Sequence, residues 1–188
     1  MARMFAAVRL PESSRRSLVE AQQALERHII DVKWVEEENL HFTLRFFGEL
    51  TPDEISSAIE AVTTVTKVTP AFTIAIAGLG AFPEHGRPRV LWAGVGAGRE
   101  PLVRLAQALA GAFAAAGLGA GDRPFAPHLT LGRVRDPNPR RGRGPRLPQV
   151  PPQAAAAVRE AIARTPCEPI LVPVAAVALV ESRLSPRG

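Results

Sequence analysis

Residues 41–44 read His41-Phe42-Thr43-Leu44, and residues 128–131 read His128-Leu129-Thr130-Leu131. Each copy is a short apolar run broken by one histidine and one threonine. Alternate side chains of a β-strand share a face. The spacing therefore predicts His41 with Thr43 on one face, and His128 with Thr130 on one face. Phe42, Leu44, Leu129 and Leu131 are expected to face a core. Two such strands laid side by side would line one cleft with two imidazoles and two hydroxyls. Paired imidazoles suit general acid and general base work near neutral pH. Hydroxyls beside them suit phosphate oxygens.

The flanks extend the pattern. Residues 37–50 read EENLHFTLRFFGEL and residues 123–135 read RPFAPHLTLGRVR. The chain starts RMFAAVRLPE at residues 3–12, and residues 78–95 read GLGAFPEHGRPRVLWAGV. Together these stretches resemble the RNA 2',3'-cyclic phosphodiesterases, also called 2'-5' RNA ligases, of the two-histidine phosphoesterase superfamily. The resemblance runs over most of the chain.

With 188 residues the chain is expected to form one domain, 1–188, of two intimate lobes. Its hydrophobic fraction of 46% suits a globular protein. The net charge is +5, and Lys33 and Lys67 are the only lysines among 23 basic residues. An arginine excess suits polyanionic partners, since the guanidinium fork takes two phosphate oxygens. Codon usage in a GC-rich genome produces the same excess. Cys167 is alone, so no internal disulfide can form. No metal-ligand pattern of Cys and His is visible, and no metal or cofactor is expected. The N-terminus does not read as a signal peptide. Stretches such as 169–180 are too short for a membrane span and contain Pro173. A cytoplasmic monomer is the expectation.

In chain order, residues 3–9 read as a strand ending before Pro11, and 12–29 as a helix with Leu18, Ala21, Leu25 and Ile29 on its buried face. A short strand at 32–36 leads to the first motif strand at about 40–47, which Gly48 is expected to close. Thr51-Pro52-Asp53-Glu54 reads as a capping box opening a helix, with Ile55, Ile59 and Val62 as its buried stripe. Strands follow at 71–78 and 88–95, separated by a turn through PEHGRP. A helix at 99–116 buries Leu102, Leu105, Leu109 and Phe113 and is capped by Gly117. The second motif strand covers about 127–134. Residues 136–153 read as a basic Pro/Gly/Arg-rich loop. Its Arg140, Arg141, Arg143 and Arg146 fit either an RNA backbone track or a solvated loop. A helix at 154–164 and a strand at 170–181 complete the chain. This order suggests an α+β fold of two pseudo-repeated lobes, each with a motif strand in an antiparallel sheet and helices outside. The resemblance implies that the two sheets face each other across a central cleft.

The resemblance also implies roles. His128 would activate water as general base and His41 would be the proton donor to the leaving oxygen. Thr43 and Thr130 would bind phosphate. Arg133 corresponds to a substrate-binding arginine of the family, although alternation alone sets it opposite His128. Phe5 corresponds to an N-terminal aromatic that stacks on the base. Arg45 is read from alternation as sharing the face of His41 and Thr43, where it would neutralise phosphate. His28 and His85 fit no motif and are read as surface residues. The implied substrate is RNA with 2',3'-cyclic phosphate ends, tRNA fragments and nucleotides among them. The implied reaction is metal-independent hydrolysis to a 2'-phosphate. Two alternatives remain at this point: a 2'-5' ligase joining that end to a 5'-hydroxyl, and an RNA- or nucleotide-binding module with incidental hydrolysis.

Overall fold

The computed structural model describes residues 1–29, 31–119, 121, 124–135 and 152–182, with backbone alone over 152–155. Apolar alternation at the N-terminus builds strand β1 (Ala2–Arg9), and the Leu18-Ala21-Leu25 face builds helix α1 (Glu12–Glu26). After β2 (Val32–Trp34) and a single 3-10 turn, the first motif opens β3 (His41–Leu50). Helix α2 (Pro52–Val68) starts at the expected capping box. Glu54 N–H donates to Thr51 Oγ1 at 3.3 Å, and Thr51 N–H donates to Glu54 Oε2 at 2.8 Å. Next come β4 (Phe72–Phe82), β5 (Val90–Val95) and α3 (Arg99–Ala115). Gly117 has φ +79°, and Leu118 N–H reaches back to Phe113 O at 2.9 Å, closing α3 as a glycine-capped end. The second motif opens β6 (His128–Val134), followed by α4 (Pro152–Arg164), β7 (Ile170–Val174) and β8 (Ala178–Glu181).

Among the described residues all pairings are antiparallel, and eight strands make one sheet in the order β7-β4-β5-β6-β3-β1-β8, with β2 also on β6. The expected α+β class with antiparallel sheets is what forms. The expected strand at 170–181 divides. Its first part joins β4 at one edge of the sheet and its second part joins β1 at the other edge. The residues between β7 and β8 span only about 14 Å when extended, so the sheet must curl until its edges approach. Pro173 is tolerated in β7 because that strand is an edge.

Phe42, Leu129, Leu131, Leu18 and Phe113 lie fully buried in the core. The expected stripe on α2 is displaced: Ile59 is 52% exposed, and Ala58, Ala61, Val62 and Val65 are the buried residues. Small alanines let α2 pack closely on α3, and the larger side chain turns outward. The basic loop lies outside the described residues over 136–151, and residues 152–153 begin α4. Among the described residues, no helix is long and apolar enough to cross a membrane.

Candidate active site

One rung joins the two motif strands. Phe42 of β3 pairs with Leu129 of β6, and both side chains are fully buried. The neighbours of each must then point to the opposite face of the sheet. Antiparallel register carries His41 toward Thr130 and Thr43 toward His128, so each histidine stands across from the other motif's threonine. The four side chains line one cleft with Arg133, bordered by Val35 and Asn39, of about 470 Å³ including its open mouth.

The imidazoles are held alike. His41 Nδ1 lies 2.7 Å from the carbonyl oxygen of Asn39, and His128 Nδ1 lies 2.8 Å from that of Ala126. A carbonyl can only accept, so each Nδ1 carries the hydrogen. Nε2 is therefore the nitrogen left to exchange a proton in each ring. Thr43 Oγ1 sits 3.1 Å from His41 Nε2 and donates to it while the ring is neutral. Burial pushes the His41 pKa below the ordinary histidine value. The Asn39 carbonyl opposes that shift, and the Arg9 charge adds to it.

Aromatic rings flank both histidines. Phe5 stacks on His41, with centroids 4.8 Å apart and planes 24° apart. Phe82 meets His128 edge-on at 5.1 Å, and Trp92 lies 5.2 Å from Phe82. A Cβ on Gly80 would come within 2.2 Å of the Trp92 indole, so glycine is what lets that ring lie flat on β4. Phe82 and Trp92 carry no motif in the sequence: Phe82 falls between the strand expected at 71–78 and the PEHGRP turn, and Trp92 falls inside the strand expected at 88–95.

Arg133 reaches the cleft through an extra residue. In the β5–β6 pairing Trp92 faces Thr130 and Leu91 faces Gly132, so Leu131 has no opposite partner. This bulge reverses the alternation beyond it, and Arg133 joins the face of His128 and Thr130. Gln22 of α1, only 5% exposed, holds the bulge from behind. Its Nε2 donates to Leu131 O at 2.8 Å and to Val35 O at 2.9 Å. The Leu131 carbonyl also accepts from Val35 N–H at 2.9 Å, which uses both its lone pairs. Sequence reading placed Gln22 in a helix and assigned it nothing, and its only signal is its place one residue beyond Ala21 on the buried face.

Arg45 departs from the expectation. In the β1–β3 pairing Ala7 faces Thr43 and Ala6 faces Arg45, so Leu44 is the extra residue. The reversed alternation turns Arg45 away from the cleft. Its guanidinium donates to Leu118 O and Gly119 O, each at 3.4 Å, and lies 5.8 Å from the Phe47 ring centre. Gly48 does not close the strand, since pairing runs on to Leu50. At φ +82° it follows a second bulge at Phe47. His28 and His85 are exposed, as expected. Among the described residues, no group of three or more His, Cys, Asp or Glu is arranged to hold a metal ion.

Comparison with known proteins identifies the family. The model of the LigT-like phosphoesterase family matches residues 8–92 and 95–188. A curated protein named RNA 2',3'-cyclic phosphodiesterase from Thermus thermophilus is 34% identical over 99% of this chain and 84% of its own length. One of the same name from Archaeoglobus fulgidus is 39% identical over 73% of this chain and 75% of its own. The chain spans about half the length or less of two further relatives of that name: 55% of one from Aquifex aeolicus and 38% of one from Geobacillus stearothermophilus. The crystal structure of the Thermus thermophilus protein TT0787 superposes with a TM-score of 0.75 at 33% identity, covering 99% of this chain and 91% of that one. The chain belongs to the LigT-like phosphoesterase family.

Proposed function

We propose that this protein hydrolyses RNA 2',3'-cyclic phosphate ends to 2'-phosphate ends, with His41 and His128 as an acid–base pair and no metal ion. The observation that carries the reading is the matched pair of imidazoles. Each presents Nε2 to one cleft and stands across from a hydroxyl of the other motif. The names of the relatives support it.

In the reaction, water attacks phosphorus and its proton passes to His128 Nε2. The bond from phosphorus to the 3' oxygen breaks, and His41 Nε2–H supplies that oxygen with a proton. The threonine hydroxyls donate to the non-bridging oxygens, where charge builds. Arg133 neutralises that charge. Burial favours neutral His41 in the free protein. An arriving phosphate anion favours the imidazolium, so substrate itself readies the proton donor. Each histidine contributes on the order of 10²–10⁴-fold.

The test is phosphorus NMR of products from 2',3'-cyclic AMP and from an oligonucleotide ending in a cyclic phosphate, with and without a 5'-hydroxyl RNA, in excess EDTA. A 2'-phosphate product in every case is expected. A joined 2'-5' strand as the main product would make the protein a ligase. Activity lost in EDTA and restored by a divalent ion would refute the metal-free reading.

A further inference from the structure

Arg9 stands beside the first motif histidine. It ends β1, and in the β1–β3 pairing it lies directly opposite His41. The neighbouring rung joins Val8 to Phe42, and both of those side chains are buried. Arg9 and His41 therefore share the other face, the one that lines the cleft, with Cβ atoms about 5 Å apart. The Arg9 side chain is exposed, and its charge acts on the imidazole. Among the described residues no carboxylate pairs with it. Two acids near the 3-10 turn before β3 are engaged elsewhere. Glu37 lies 4.0 Å from Arg15 Nε, and Glu36 Oε2 accepts from Asn39 Nδ2 at 3.3 Å.

The direction of the reaction gives this cation a use. In-line attack sets the water and the leaving 3' oxygen on opposite sides of phosphorus. With water at His128 and the 3' oxygen at His41, the ribose lies on the His41 side. The RNA leading up to that ribose continues over the same side, where Arg9 stands. The first anion it carries there is the phosphodiester on the 5' carbon. A guanidinium fork suits the two free oxygens of such a group.

We propose that Arg9 holds the phosphodiester that joins the terminal nucleotide to the one before it. The proposal rests on reading the cleft as the cyclic phosphate site with His41 as the acid. A molecule of 2',3'-cyclic AMP has no phosphate at this place, and a dinucleotide has one.

The test compares KM for three substrates: 2',3'-cyclic AMP, the dinucleotide ApA ending in a 2',3'-cyclic phosphate, and the same dinucleotide with an uncharged methylphosphonate as its internal linkage. In the wild type the charged dinucleotide should have the lowest KM. Arg9→Ala should raise that KM about tenfold relative to cyclic AMP, as expected for losing a hydrogen bond to a charged group. Arg9→Gln should do the same, and Arg9→Lys, which keeps the charge, should retain part of the advantage. The methylphosphonate dinucleotide should show no such relative rise. Equal KM for the two dinucleotides in the wild type, or an unchanged ratio in both Arg9→Ala and Arg9→Gln, would overturn the proposal. So would an equal relative rise for the uncharged dinucleotide. Binding of adenosine 2',5'-bisphosphate against adenosine 2'-phosphate needs no turnover, and the extra phosphate contact should steepen the salt dependence by about 0.7 in log–log slope. If the wild type hydrolyses none of the substrates, the cyclic phosphate reading fails. The Arg9 site still stands if Arg9→Ala removes the bisphosphate's advantage, and falls if that advantage persists.

Discussion

The two motif strands carry the same irregularity with different results. In β6 the bulge at Leu131 brings Arg133 into the cleft, backed by Gln22. In β3 the bulge at Leu44 sends Arg45 to the far face and leaves Phe46 on the near one. The repeated histidine and threonine give the cleft a near-symmetric centre. The residue after the bulge makes it asymmetric, with a cation on one side and an aromatic ring on the other.

The comparison breaks first at its centre. His41→Ala and His128→Ala should each lower turnover of 2',3'-cyclic AMP by about 10²–10⁴-fold while the circular dichroism stays that of the wild type. Near wild-type rates in either would refute the pairing. The arginines should separate next. Arg133→Ala should lower kcat/KM by roughly 10- to 100-fold, the range for a lost hydrogen bond to a charged group. Arg45→Ala should leave kcat/KM within about twofold and cost about 1 kcal/mol of stability, the worth of its carbonyl contacts. Equal losses of activity would mean that the bulge at Leu44 does not divide them.

Gln22 sharpens the comparison from behind the sheet. Gln22→Met keeps the length and loses both donors, and should lower kcat/KM about tenfold by loosening the bulge. In an Arg133→Ala background the same change should cost little, because coupled residues are non-additive. Additive losses would make Gln22 a fold residue alone. The smallest effect concerns Phe5. Removing its ring in Phe5→Ala exposes His41 to water, so the His41 pKa should rise toward its ordinary value. NMR titration of the imidazole reads this directly, and a fall or no change would mean that the ring is not what shields it.

Much of this arrangement was legible in the sequence. The motif spacing placed four side chains on one face, and the capping box at Thr51 and the glycine at 117 marked helix ends correctly. The bulges were not legible, because an extra residue changes strand parity without a composition of its own. That is why alternation put Arg45 in the cleft and Arg133 out of it, and the resemblance rather than the pattern recovered Arg133. Ile59 misled because helix packing was decided by the small residues Ala58 and Ala61, whose signal in hydrophobic periodicity is weak. The division of the last strand followed from sheet curvature, a property of the assembled fold.

The central claim is that two imidazoles exchange protons across one cleft. The pH dependence of kcat/KM for 2',3'-cyclic AMP tests it most directly, since that ratio reports the free enzyme's groups. A bell is expected, because one ring must be neutral and the other charged. Burial lowers the His41 pKa, so with His41 as the acid its protonated form is lost as pH rises through a value below 6.5. That limb should fall on the acid side of the ordinary histidine range and vanish from the residual activity of His41→Ala. A profile flat from about pH 5 to pH 9, or one whose limbs both survive in His41→Ala and in His128→Ala, would contradict the paired mechanism.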